Sequence, residues 1–163
     1  IYIFTIKIDR NPIYLKIVRV SRMKKKVWLS IKGQQSTQSE EPEIVELITE
    51  GELYYKDRSN YLLYKESEVS GMEGTTTTVK VEEDQVSIIR LGTTNTHLVF
   101  KKGQRKYNRY ETPYGELLLS IFTNDLSIQY NEEKEPVSIY LDYDLGIEGG
   151  HQTQNSLEIK VKQ

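Results

Sequence analysis

Apolar and polar residues alternate along most of the chain after Met23. In "VWLSIKG", Val27, Leu29 and Ile31 fall on one side and Trp28, Ser30 and Lys32 on the other. "SIYLDYDLG" sets Val137, Ile139, Leu141, Tyr143 and Leu145 against Ser138, Tyr140, Asp142 and Asp144, and "SLEIKVK" sets Leu157, Ile159 and Val161 against Glu158, Lys160 and Lys162. A period of two belongs to a strand with one buried and one wet face. Further strand candidates are "EIVELITEGELYY", "NYLLYKE", "TTTTVKV", "QVSIIRL", "THLVF", "RKYNRYE", "GELLLSIF" and "LSIQY". "EPEIVELITEG" fits a helix through Ile44, Leu47 and Ile48 and a strand through Val45, Leu47 and Thr49; its neighbours favour the strand. No segment sustains a helical apolar period.

The connectors "KDRSN", "EEDQ", "GTTN", "KKGQ" and "TND" are short and carry turn residues. The pattern therefore predicts one all-β domain, a single antiparallel and mostly up-and-down β-barrel of about 8–10 strands, since closure removes exposed edges. A two-sheet sandwich is the alternative. It usually needs long Greek-key connections, and the chain offers one long loop, residues 146–155. Thr112-Pro113-Tyr114-Gly115 fits a type I turn, with Pro113 fixing φ and Gly115 free to take positive φ, which predicts a three-residue hairpin connection between "RKYNRYE" and "GELLLSIF".

Composition narrows the function by exclusion. A chain of 163 residues suits one domain with its own core. There is no cysteine, hence no disulfide framework and no thiol nucleophile. The two histidines, His97 and His151, lie far apart and are a poor start for a metal centre. A formal net charge of −2 gives no global attraction to nucleic acid or membrane. No apolar run reaches the roughly 18 residues that a spanning helix needs, and the first residues, broken by Lys7, Asp9, Arg10, Lys16 and Arg19, do not read as a signal peptide. A cytoplasmic location is the default. The first methionine, Met23, precedes "KKKVWLS" as a native start would, so residues 1–22 are expected to lie outside the domain and 23–163 to form it, the alternative being an extra strand.

The segments "YLLYKESE", "TTTTVKV", "IIRLG", "YETPYGELLLS" and "IYLDYDL", in this order and spacing, resemble the YwiB-like group of bacterial proteins, a domain of unknown function with a calycin-type, lipocalin-like β-barrel. The resemblance runs from Lys24 to the C-terminus. Its most specific element is Tyr110-x-Thr112-Pro113-x-Gly115, with Arg90-x-Gly92 upstream. It implies a small closed barrel in a bacterial cytoplasm and brings no activity, cofactor or metal with it.

No nucleophile elbow, glycine-rich phosphate loop or metal-spaced pair is present. Glu82-Glu83-Asp84 and Glu132-Glu133 read as solvated turn charges. Binding is therefore expected over catalysis, with no cofactor, no membrane and no DNA. In "QVSIIRLG", a core face of Ile89 and Leu91 leaves Arg90 in solvent and exposes Val86 and Ile88, whereas a core face of Val86 and Ile88 turns Arg90 inward as well, inside or at the rim of the barrel. An inward arginine keeps its charge and needs a carboxylate, carbonyls or a bound anion. Glu66 and Glu116 are the candidate acidic partners and Tyr64 and Tyr110 the neutral ones, serving an internal polar network or a small anionic ligand. Long candidate lining residues, Leu63, Leu119, Ile139, Leu141 and Tyr143, predict a filled interior. The alternative site is the basic stretch "KKGQRKYNRY". There Lys101, Lys102, Arg105, Lys106 and Arg109, interleaved with Tyr107 and Tyr110, carry the charge and aromatic faces that single-stranded RNA binders combine. A charged, solubilising hairpin accounts for the same residues, and a purely structural or partner-binding role is the third reading.

Overall fold

The computed structural model describes residues 3–8, 13–18, 24–93, 95–112 and 114–163. Among the described residues there are twelve strands. β1 (Ile3–Ile8) and β2 (Ile13–Val18) pair with each other as a separate antiparallel sheet. The remaining ten make one antiparallel sheet: β3 (Lys25–Ser36), β4 (Glu43–Lys56), β5 (Ser59–Lys65), β6 (Thr76–Val81), β7 (Val86–Leu91), β8 (Thr96–Phe100), β9 (Arg105–Thr112), β10 (Gly115–Tyr130), β11 (Pro136–Ile147) and β12 (Gln152–Lys162). A single 3-10 turn, Glu68–Ser70, lies between β5 and β6. No helix among the described residues is long and apolar enough to cross a membrane.

The spatial order is β8-β7-β6-β5-β4-β3-β12-β11-β10-β9. Apart from β8 and β9, barrel strands adjacent in sequence pair with each other, and β12 returns to pair with β3, so the sheet is an up-and-down barrel. One joint lacks a ladder: β8 and β9, the two ends of the order, are linked by the turn 101–104. That turn is tied to β10 by Gly103 N–H donating to Thr123 O (2.9 Å) and Thr123 N–H donating to Gln104 O (3.2 Å). The barrel is therefore nearly closed, with a seam beside β8.

Most of the alternation holds in the fold. Val27, Leu29 and Ile31 are buried while Trp28 is 53% exposed. Three sequence expectations need correction. "TND" is no turn: β10 runs through it, and Asn124 is the extra residue of a bulge between Thr123 and Asp125. Residues 146–155 form no long loop, because β11 and β12 pair as far as Gly146 and Gln152. The β9–β10 hairpin pairs as expected, but Thr112 lies opposite Gly115, so its connection has two residues, not three. Gly115 takes φ 123°, positive though beyond the left-handed helical region, and Pro113 lies outside the described residues.

Register stacks the inward residues into rows whose character changes along the barrel axis. One lower row, Leu53-Leu62-Val79-Ile88-Leu98, is wholly apolar. Two residues further along each strand comes Gly51-Tyr64-Thr77-Arg90-Thr96. On the opposite wall, Ile128-Ile139-Ile159-Ile31-Leu47 gives way, beyond Leu126-Leu141-Leu157-Gly33-Val45, to Thr123-Tyr143-Asn155-Gln35-Glu43. The barrel thus has an apolar body and one polar mouth.

The end away from the mouth is clamped by Glu135, whose side chain is 4% exposed. Its carboxylate accepts from Lys25 Nζ (2.8 Å), Gln163 Nε2 (2.8 Å) and Asn131 Nδ2 (3.2 Å), joining the start of β3, the end of β12 and the β10–β11 turn. Burial by itself would raise the Glu135 pKa; these hydrogen bonds outweigh it and hold the carboxyl at about 2, against an ordinary 4.5. At the mouth, the β5–β6 connection is fastened to the β7–β8 turn. Thr93 Oγ1 donates to Glu73 O (2.8 Å) and shares a hydrogen bond with Thr75 Oγ1 (2.8 Å). Gly92, at φ 136°, lies so close that a Cβ there would stand 2.2 Å from Gly74 O. This contact is what the Arg90-x-Gly92 spacing provides: an inward arginine, then a residue with no side chain where two backbones meet.

Two outcomes follow from these clamps. Gly92→Ala should destabilise by more than ~2 kcal/mol in urea unfolding, because it combines a backbone clash with a disfavoured φ, and should speed amide exchange in 66–75; unchanged stability would show the contact to be dispensable. Glu135→Gln should destabilise by up to ~3 kcal/mol above pH 5, since the folded carboxyl titrates far below the unfolded one. That difference should shrink as the pH falls from 4.5 towards 2, as the wild type loses the same charge. A difference independent of pH would mean that Glu135 acts by shape alone.

Candidate functional site

Between the two polar rows lies a cavity of about 340 Å³. Its floor is apolar, formed by Ile31, Leu47, Ile88, Leu98 and Leu157. Its walls carry Tyr64, Glu66, Arg90, Tyr143, Gln35 and Asn155, with the exposed Glu43 at the rim. Ser70 and Met72 of the β5–β6 connection border it. The expectation of a filled interior therefore holds below but fails at the mouth. Leu62, Ile121, Ile139 and Leu141 are fully buried, as expected of a packed core. At the mouth Gly33 takes an inward position among leucines and valine, and a Cβ built on it meets nothing within 4 Å. The absent side chain is part of the space. Leu63 is not a lining residue: of two adjacent leucines, Leu62 faces in and Leu63 lies half-buried on the outer side.

Arg90 projects into this cavity from β7, its side chain 19% exposed. Val86 and Ile88 on the same strand are buried, and the period of two carries Arg90 to the same side. Glu66 continues the inward side of β5 after Leu62 and Tyr64, and its N–H donates to Thr75 O (2.9 Å). The Glu66 carboxylate is 2% exposed and accepts a 2.6 Å hydrogen bond from Thr77 Oγ1. Arg90 Nε stands 3.9 Å from the same carboxylate oxygen. At that distance the two charges attract without a hydrogen bond. Arg90 Nε is buried and has no hydrogen-bond partner among the described residues.

Both tyrosines of the cavity are held in their phenol form. Burial pushes the Tyr64 pKa well up, and the adjacent Glu66 charge and its hydrogen bond add to this, while Arg90 opposes it. Burial likewise raises Tyr143, again with Arg90 opposing. The ring of Phe100 on β8 meets Tyr143 on β11 edge-on at 4.8 Å, bracing the interior across the seam.

Of the five residues expected at the site, Tyr64, Glu66 and Arg90 come together and two do not. Glu116 lies on the outer face of β10, where its carboxylate meets Arg109 Nη1 at 3.3 Å. Tyr110 shares the inner side of β9 with Lys106 and Asn108 but does not line the cavity. Neither was separable from Glu66 and Tyr64 by sequence, because proximity here depends on which strands adjoin. Thr77, Thr96 and Gln35 went unnoticed, although the alternation of "TTTTVKV" already puts Thr77 with Val79 and Val81.

The basic stretch does not form one continuous patch. Alternation along β9 puts Arg105, Tyr107 and Arg109 outside and Lys106 and Tyr110 on the inner side, so Tyr107 and Tyr110 face opposite ways. Lys101 pairs with Asp84 (2.8 Å) and Lys102 with Asp125 (2.9 Å), each lowering its partner's carboxyl pKa by hydrogen bond and charge. Arg105 donates to Ser120 Oγ (2.7 Å) and lies over the Phe122 ring. Among the described residues no group of three or more His, Asp or Glu side chains is placed to hold a metal ion; His97 and His151 are both exposed.

Comparison with known proteins agrees with the fold. Residues 29–159 match the family described as Domain of unknown function (DUF1934). The uncharacterized beta-barrel protein YwiB of Bacillus subtilis (strain 168) is 33% identical over 109 residues, 67% of this chain and 75% of the relative. The crystal structure of ywiB protein from Bacillus subtilis superposes with a TM-score of 0.68 over 88% of this chain and 96% of that one, at 22% identity, a likeness of fold. The match spans nearly every strand of the barrel, and on it the chain belongs to the DUF1934 family.

Proposed function

We propose that the barrel is a binding module for a small amphipathic anion, held in the mouth cavity with its charge at Arg90 and its apolar part on the floor beneath. The observation that carries this reading is Arg90, whose side chain lines the cavity and whose buried Nε has no hydrogen-bond partner among the described residues. A guanidinium stays charged, and leaving a buried donor unpaired costs about 1–3 kcal/mol, so the arrangement favours an acceptor arriving from outside. Glu66 holds Arg90 in place but stands too far away to satisfy it. A cavity of about 340 Å³ with an apolar floor and a few converging polar groups has the character of a small-molecule site. Every residue in this reading lies within 23–163. The RNA alternative has weaker support, since most cations of 101–110 already have partners and the two tyrosines point apart.

Two fluorescent probes separate charge from apolar burial. 1-Anilinonaphthalene-8-sulfonate has an aromatic body and one sulfonate; N-phenyl-1-naphthylamine has the same body and no charge. Arg90→Leu should weaken the sulfonate probe at least ~10-fold and leave the neutral one within about 2-fold, the loss expected of a charge-assisted contact. Glu66→Gln, which removes the competing carboxylate, should tighten the sulfonate probe. The double variant with both changes leaves no unpaired buried carboxylate, so it should stay folded and still reject the sulfonate. Gly33→Leu should exclude both probes while unfolding in urea no earlier than wild type, because it fills empty space. Equal losses of both probes in Arg90→Leu, or unchanged binding in Gly33→Leu, would overturn the reading.

A further inference from the structure

We propose that the mouth cavity selects a singly charged carboxylate and excludes doubly charged phosphate esters, with Thr96 acting beside Arg90 as the second donor to the carboxylate. This deepens the anion reading above and rests on it. Thr96 lies directly opposite Arg90 in the β7–β8 ladder, so the two side chains share the inner face. Thr96 stands beside Arg90 and Leu98 rather than in the cavity's own lining, but its Oγ1 is buried and, like Arg90 Nε, has no hydrogen-bond partner among the described residues. Two unpaired donors at directly paired positions suit two acceptor oxygens on one small group. A carboxylate presents them in one plane, one to Nε–H and one to the hydroxyl.

The charge limit comes from the neighbours. The charged residues that line the cavity are one cation, Arg90, and two carboxylates, Glu66 and Glu43. Glu66 is buried and shares Arg90's field, while Glu43 is exposed and largely screened by water. An incoming anion therefore meets an arginine that is already partly neutralised. Its attraction grows in proportion to its charge, while the cost of taking it out of water grows with the square of that charge. A monoanion with an apolar tail gains on both counts. A dianion loses more hydration than one shared guanidinium replaces.

Calorimetric titration with octanoate, octyl phosphate and octanol tests this on the intact chain. Octyl phosphate serves as its own control, because it is mainly a monoanion at pH 5 and a dianion at pH 8. Octanoate should bind at both pH values and at least ~10-fold more tightly than octyl phosphate at pH 8, one tenfold step being about 1.4 kcal/mol. Octyl phosphate should bind at pH 5 and weaken at pH 8. Thr96→Val should weaken octanoate about 3- to 10-fold, the loss of one hydrogen bond to a charged group, and leave octanol unchanged. Octyl phosphate binding at pH 8 as tightly as octanoate would overturn the charge selection and leave the anion reading standing. Octanoate unaffected by Thr96→Val would remove Thr96 from the site. Failure of both octanoate and octyl phosphate to bind at either pH would sink the anion reading itself.

Discussion

The pairing of β3 with β12 is the contact on which the rest of the barrel depends. It joins the first and last strands of the sheet, from Gln154 opposite Ser36 to Lys162 opposite Trp28. Every other ladder in the barrel is a hairpin between sequence neighbours, formed at little entropic cost. This one closes a loop of more than a hundred residues and joins what would otherwise be two separate sheets, β3–β8 and β9–β12, into one barrel wall with an inside. Glu135 fixes its outer end, gathering Lys25 and Gln163 on one carboxylate. Once that joint is made, each strand's alternation decides what is interior, and the rows of side chains follow from register.

The polar mouth follows from the same constraint. Long strands such as β3, β11 and β12 supply apolar residues to the body and Gln35, Tyr143 and Asn155 to the rim, while β5–β7 supply Tyr64, Thr77 and Arg90 at the other side. Burying polar groups is tolerable where each has a partner. Glu66 meets that condition through Thr77 and Tyr64. Arg90 Nε and Thr96 Oγ1 do not meet it among the described residues, and Arg90 lines the cavity that Gly33 leaves open.

Where the fold was legible from sequence, it was legible through parity. Val27, Leu29 and Ile31, or Ile139 and Leu141, could occupy one side only, while parity allowed Arg90 two positions and the burial of Val86 and Ile88 decides for the inner one. Parity fails where neighbours are alike or where a residue is inserted. Leu62 and Leu63 give no sign of which faces in, and the bulge at Asn124 makes a continuous strand resemble a turn. Partners across strands were less legible still. Glu116 and Glu66 are equally plausible mates for Arg90 on paper; the ladder sends one to Arg109 outside and the other to the cavity. The empty space at Gly33 had a faint signal, a lone glycine inside a strand, which marks either a close approach or a missing side chain.

The seam between β8 and β9 gives the barrel an unequal perimeter. Elsewhere around the ring, among the described residues, widening would break rows of backbone hydrogen bonds. At the seam it would part only side-chain contacts such as Phe100 against Tyr143, above a turn that β10 keeps pinned. The girth of the barrel is thus held by the fewest backbone bonds at one joint, and that joint runs beside Thr96 and Leu98. Nine laddered joints fix the length of the wall, and the tenth, among the described residues, is held by side-chain contacts and the pinned turn.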